Sequence, residues 1–86
     1  MNKKVGQVYR TTKWLKFTVS ELKPKTVVLV VSNTTGHQLG EIKWYSGWRQ
    51  YTFATAPDII YNNRCLQDIT DVLTELNKEQ CQKGGI

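Results

Sequence analysis

Leu39 to Phe53, LGEIKWYSGWRQYTF, gathers two of the chain's three tryptophans, two of its four tyrosines, a phenylalanine and an arginine into fifteen residues. Flat rings offer stacking surface to a nucleobase, and a planar guanidinium offers paired donors to a phosphate or carboxylate. Ser46-Gly47 reads as a two-residue hairpin turn, setting Tyr45 opposite Trp48, Trp44 opposite Arg49 and Ile42 opposite Tyr51. Alternation then puts Ile42, Trp44, Arg49, Tyr51 and Phe53 on one face, and Glu41, Lys43, Tyr45, Trp48, Gln50 and Thr52 on the other. The first face reads as core, with Arg49 either pairing with a carboxylate of the protein or offering its fork to a ligand. The second sets Tyr45 and Trp48 at the hairpin tip with Lys43 and Gln50 behind them. That combination suits a base plus a phosphate, and it suits a covered subunit contact as well, because aromatic side chains favour both. The candidate ligand-binding residues are Lys43, Trp44, Tyr45, Trp48, Arg49 and Tyr51.

No catalytic constellation accompanies them. His37, the single histidine, stands in a turn with no cysteine or acid at a metal-ligand spacing. Asp68, Asp71, Glu75 and Glu79 spread along the solvent side of a helical pattern, where they serve solubility and not acid-base chemistry. Gly36 and Gly40 match no phosphate-loop motif. The expectation is a non-enzymatic binding protein with no catalytic residue, no metal and no cofactor. Its ligand is expected to be a nucleotide or another phosphate-bearing small molecule, and the alternative is a single-stranded nucleic acid. A protein inhibitor using the same aromatic patch as a hot spot is a further alternative.

The elements that must position this patch follow from periodicity and breakers. Residues 1–13 read as a basic arm or a short edge strand, without a role in the core. From Trp14, Leu15, Phe17 and Val19 alternate with polar neighbours, as a half-buried strand requires. Lys23-Pro24-Lys25 interrupts, and Thr26 to Ser32 follows as a strand apolar on both faces. Asn33-Thr34-Thr35-Gly36-His37 turns the chain, with Gly36 able to supply positive φ, into a strand from Leu39 to Tyr45. The next strand runs from Trp48 to about Thr55. Ile59-Ile60-Tyr61 either adds a fifth strand or crosses the sheet edge. Asn62 or Asn63 can cap a helix over 63–82, with Cys65, Leu66, Ile69, Val72, Leu73 and Leu76 on its apolar side, Lys83 suiting its end and Gly84-Gly85 stopping it. The predicted fold class is α+β, an antiparallel four- to five-stranded β-meander over 14–61 with one C-terminal α-helix packed on one face, and 83–86 as a tail.

With 86 residues, the chain has room for a single domain and one core. The net charge of +5 is uneven, since Lys3, Lys4, Arg10, Lys13, Lys16, Lys23 and Lys25 precede residue 26 beside one acid, Glu21. The front of the molecule should attract anions, unless these lysines only keep a small sheet soluble and blunt its edges. Cys65 and Cys81 are more than about 20 Å apart along a straight helix and cannot bridge within it. With no membrane-length apolar stretch and no signal-peptide core, the expectation is a cytoplasmic protein that does not engage a membrane. The doubly apolar second strand and small core predict a homo-oligomer, most simply a twofold dimer.

The motif LGEIKWYSGWRQYTF, followed by Pro57-Asp58 and the helix start CLQDI, resembles a group of small proteins encoded by bacteriophages and prophages, over roughly residues 26 to 76. Its members look like L-G-x-I-K-W-Y-x-x-W-R-x-Y-x-F and then C-L-x-x-I, which this chain matches from Leu39 and Gly40 through Phe53 to Cys65, Leu66 and Ile69. Ala54-Thr55-Ala56 stands where related proteins often carry aromatic or proline residues. The resemblance implies a phage-encoded factor in the host cytoplasm that handles nucleic acid or inhibits host defence, including by sequestering a nucleotide immune signal.

Overall fold

β-branched and alternating residues carry most of residues 8–55 into strands, and the helical spacing begins only after Asn62. The computed structural model describes residues 4–82, with the side chains of 81 and 82 excepted. Its elements are β1 (Val8–Thr11), β2 (Leu15–Leu22), β3 (Val27–Asn33), β4 (Gln38–Tyr45), β5 (Gln50–Thr55) and α1 (Asn63–Gln82). The strands form one antiparallel sheet in the order β1-β2-β3-β4-β5, and α1 lies across one face. This is the α+β meander that the sequence predicts, in its five-stranded form.

The fifth strand is β1 and not Ile59-Ile60-Tyr61. In that crossing segment Ile60 is 97% exposed, while Ile59 and Tyr61 pack against the core. The front segment therefore has a role in the core, contrary to expectation. A register shift between Val8 and Arg10 lets Tyr9 reach the core cluster, and both Tyr9 and Arg10 bond to the Glu75 carboxylate of α1. The phenol donates to Glu75 at 2.6 Å.

Leu15, Phe17 and Val19 of β2, Leu29 and Val31 of β3, and Ile42 of β4 face Ile69, Val72 and Leu76 of α1, all 3% exposed or less. Asn62 caps the helix, its Oδ1 accepting the Cys65 N–H at 2.9 Å. The helix is rotated about its axis from the predicted face. Leu66 is 49% exposed and Leu73 only half-buried, whereas Gln80 is buried and Glu75 is turned toward β1. The cause is the extra edge strand, which extends the sheet beneath the acidic side of the helix. The expected stop at Lys83 and Gly84-Gly85, and the side chain of Cys81, lie outside the described residues.

The predicted need for outside cover on β3 is met in part within one chain. Val28, on the face away from α1, is 7% exposed, and Val30 is half-buried. Gly40 fixes the approach of β4 to β5, because a Cβ there would lie 2.9 Å from both the Phe53 ring and the Thr55 Cα. The aromatic hairpin is thereby clamped at its base.

Candidate functional site: the β4–β5 hairpin tip

The hairpin register differs from the predicted one by two residues. Tyr45 pairs with Gln50, Trp44 with Tyr51, Lys43 with Thr52 and Ile42 with Phe53. Ser46, Gly47, Trp48 and Arg49 form a four-residue loop in which the Trp48 N–H donates to the Tyr45 carbonyl at 3.1 Å. A two-residue turn would need positive φ at Ser46, which a residue with a Cβ resists. The chain instead places its left-handed residue at Arg49, with φ 55°. Because the shift is even, Ile42, Trp44, Tyr51 and Phe53 keep the faces predicted for them, but Trp48 and Arg49 leave the ladder.

The candidate residues divide accordingly. Tyr51 is 5% exposed, its hydroxyl accepts the Val27 N–H at 3.1 Å, and its own N–H donates to Asn77 Oδ1 at 2.7 Å. Burial pushes the Tyr51 phenol above its ordinary pKa. Tyr51 thus ties β5 to β3 and α1, and it stands apart from the exposed rings of the hairpin tip. Trp44 is half-buried on the same face and meets Tyr51 edge-on, with ring centroids 5.4 Å apart.

Four residues remain together at the surface. Tyr45 is 50% exposed and Trp48 is 67% exposed, and their rings meet at 85° with centroids 5.2 Å apart. The Tyr45 ring also lies over Gly47, where a Cβ would come within 3.0 Å of it. Lys43 is exposed one alternation behind Tyr45, and Arg49 is exposed beside Trp48. A shallow depression of about 270 Å³ is lined by Tyr45, Trp48, Thr52 and Phe53. Sequence reasoning did not include Thr52 and Phe53, although alternation already put Thr52 on the Tyr45 face.

The tip combines an open indole face, a second ring holding it upright and two cations on one hairpin. It can stack a planar ring and hold a negative charge nearby. A second hollow at the opposite end of the sheet, about 430 Å³, is lined by Trp14, His37, Leu39, Asp58, Ile60 and Cys65 among others, with no lysine or arginine in its wall. It does not suit a phosphate. Among the described residues no three His, Cys, Asp or Glu side chains gather as a metal site, and no helix is long and apolar enough to cross a membrane.

The "Uncharacterized 9.3 kDa protein" of Acholeplasma phage L2 is 36% identical to this chain over 75 residues, covering 85% of this chain and 96% of the phage protein. No protein-family model matches the chain, and no solved structure does. With 36% identity over 85% of its length, the chain belongs to the family of that small phage protein.

Proposed function

We propose that this is a non-enzymatic phage-type binding protein whose hairpin tip captures a nucleotide ligand in the host cytoplasm and so sequesters a nucleotide signal of host defence. The observation that carries this reading is the tip itself. Trp48 is 67% exposed, braced edge-on by Tyr45, and followed by an arginine held at a positive φ of 55°. An exposed indole costs solvation, and a left-handed arginine costs about 1–2 kcal/mol, where a glycine would cost neither. Both costs fall on adjacent residues at one surface, and a base stacked on Trp48 with its phosphate on Arg49 or Lys43 uses both. Membership of a phage protein family supports a phage origin, the setting in which this reading is framed.

Stacking is worth about 1–3 kcal/mol per base and a charge-assisted hydrogen bond about 1.5–3 kcal/mol. After the cost of association, one base and one or two phosphate contacts support weak affinity, on the order of millimolar, from a single tip. Calorimetry of the wild type and of Trp48→Ala against adenosine mono- and dinucleotides, with inorganic phosphate as the base-free comparison, tests the reading. Wild type should bind nucleotides more tightly than phosphate, and Trp48→Ala should lose that preference. Equal affinity for nucleotide and phosphate, or an undiminished preference in Trp48→Ala, contradicts it. Affinity that climbs steadily with strand length assigns the tip to single-stranded nucleic acid instead.

A further inference from the structure

Among the described residues, no helix or further strand lies over the sheet face turned away from α1, although Val28 there is only 7% exposed, and the strand register orders its side chains into rows. One row is Thr11, Lys16, Ser32 and Gln38. The next is Val8, Thr18, Val30, Glu41 and Ala54. In the third, Glu21 pairs with Val28 and Lys43 with Thr52, and Lys43 stands at the level of Val28 because its neighbour Ile42 pairs with Leu29. Val8 is 43% exposed on this face, although a strand edge is an unfavourable place for an uncovered valine.

Two opposite charges on this face, Glu21 on β2 and Lys43 on β4, stand at one level on either side of β3, the middle strand. A twofold axis running along β3, between two copies stacked face to face, exchanges β2 with β4 and β1 with β5 and keeps every row at its own level. Glu21 then meets Lys43 of the second copy, and Lys43 meets Glu21 of the second copy. Thr18 meets Glu41, Lys16 meets Gln38, Val8 meets Ala54, and Val28 and Val30 meet their own counterparts. No like charges are brought together. We propose that a second copy of this chain docks on the open sheet face about such an axis, giving a sandwich with the two helices outside.

Strands about 4.8 Å apart and rows about 7 Å apart give a contact face of roughly 24 by 20 Å. That is below the roughly 800 Å² per partner of a standard stable interface, so the proposed dimer belongs with the small, transient class of interfaces.

The same axis has a consequence that rests on the ligand reading of the tip. One alternation beyond Lys43 lies Tyr45, and one alternation beyond Glu21 lies Lys23, whose N–H closes the β2–β3 hairpin on the Thr26 carbonyl at 2.9 Å. Exchange of β2 with β4 sets Lys23-Pro24-Lys25 of the second copy beside Tyr45, Trp48 and Arg49. Lys43 answers Glu21 across the interface, and two lysines of the second copy take its place at the tip. A shallow one-sided surface becomes a site with an aromatic wall from one copy and a cationic wall from the other.

Sedimentation equilibrium of ligand-free protein, from low micromolar to near-millimolar concentration, tests the docking without reference to any ligand. Wild type should dimerise, Glu21→Lys and Lys43→Glu should each weaken the dimer by about tenfold or more, and the double variant should recover most of the loss. Both side chains are exposed, so each variant should keep its circular dichroism spectrum. A wild type that stays monomeric overturns the proposal, as does a double variant no better than the singles. The composite site is read separately, by calorimetry of a Lys23→Ala, Lys25→Ala variant against a dinucleotide. Weaker binding by an intact dimer supports it, and unchanged binding removes it. A charge swap that behaves as stated while no nucleotide binds leaves the docking standing and sinks the ligand reading.

Discussion

Arg49 occupies a backbone position that asparagine or glycine fills at less cost, and it does so with its side chain in solvent. At this position the proposed function and the fold ask for different residues. Arg49→Gly should therefore keep the hairpin, with a melting midpoint unchanged or raised by a few degrees, because relief of the left-handed strain offsets the extra freedom of the unfolded chain. The same variant should lose about tenfold or more in affinity for a phosphorylated ligand, measured by calorimetry. A destabilised Arg49→Gly would mean that the guanidinium supports the fold. Tyr51 shows the opposite case. Alternation put it on the core face, apart from Tyr45, but nothing local marked it as the acceptor for the Val27 N–H across the sheet. Residue type made the chemistry of the hairpin legible, but burial, which depends on the whole sheet, decides which rings a ligand can reach.

At the scale of elements, strand order and the helix span of Asn63–Gln82 followed from alternation, breakers and helical spacing. The hairpin register did not, because a two-residue and a four-residue loop preserve the same faces and differ only in where positive φ falls. The helix rotation was hidden for a related reason. The apolar stripe is wide enough to dock at more than one angle, and the edge strand β1 selects the angle through Tyr9 and Arg10 on Glu75. Two measurements check this docking. Leu76→Ala should cost about 2–5 kcal/mol in denaturant unfolding, while Leu66→Ala, half-exposed, should cost less than about 1 kcal/mol. The second is a pH series. Burial raises the Tyr9 and Tyr51 phenols, and the hydrogen bond to Glu75 raises Tyr9 further. A group with a raised folded-state pKa lends stability that is whole below the unfolded value, near 10, and is lost as pH climbs toward the folded value. The midpoint of urea unfolding should hold to about pH 9 and fall above pH 10, and Tyr9→Phe should make that fall shallower. A fall of the same steepness in Tyr9→Phe would show that β1 is not held this way.

At the scale of the whole molecule, one layer of helix covers one face of the sheet, and the cationic aromatic tip projects from the end of the β4–β5 hairpin. The binder reading rests on residue types that form no catalytic constellation and its proposed place on the aromatic hairpin, both legible in the sequence, whereas the rows on the open sheet face needed the register of every strand before they could be read. The central claim is that the tip is the binding surface. Its most direct test is the change in backbone amide resonances of isotope-labelled protein as a dinucleotide is added. The account predicts saturable shifts concentrated at Lys43, Tyr45, Ser46, Gly47, Trp48 and Arg49, extending to Lys23 and Lys25 where two copies are docked. Saturable shifts centred instead on Trp14, His37 and Cys65, or no shifts at near-millimolar ligand, would contradict it.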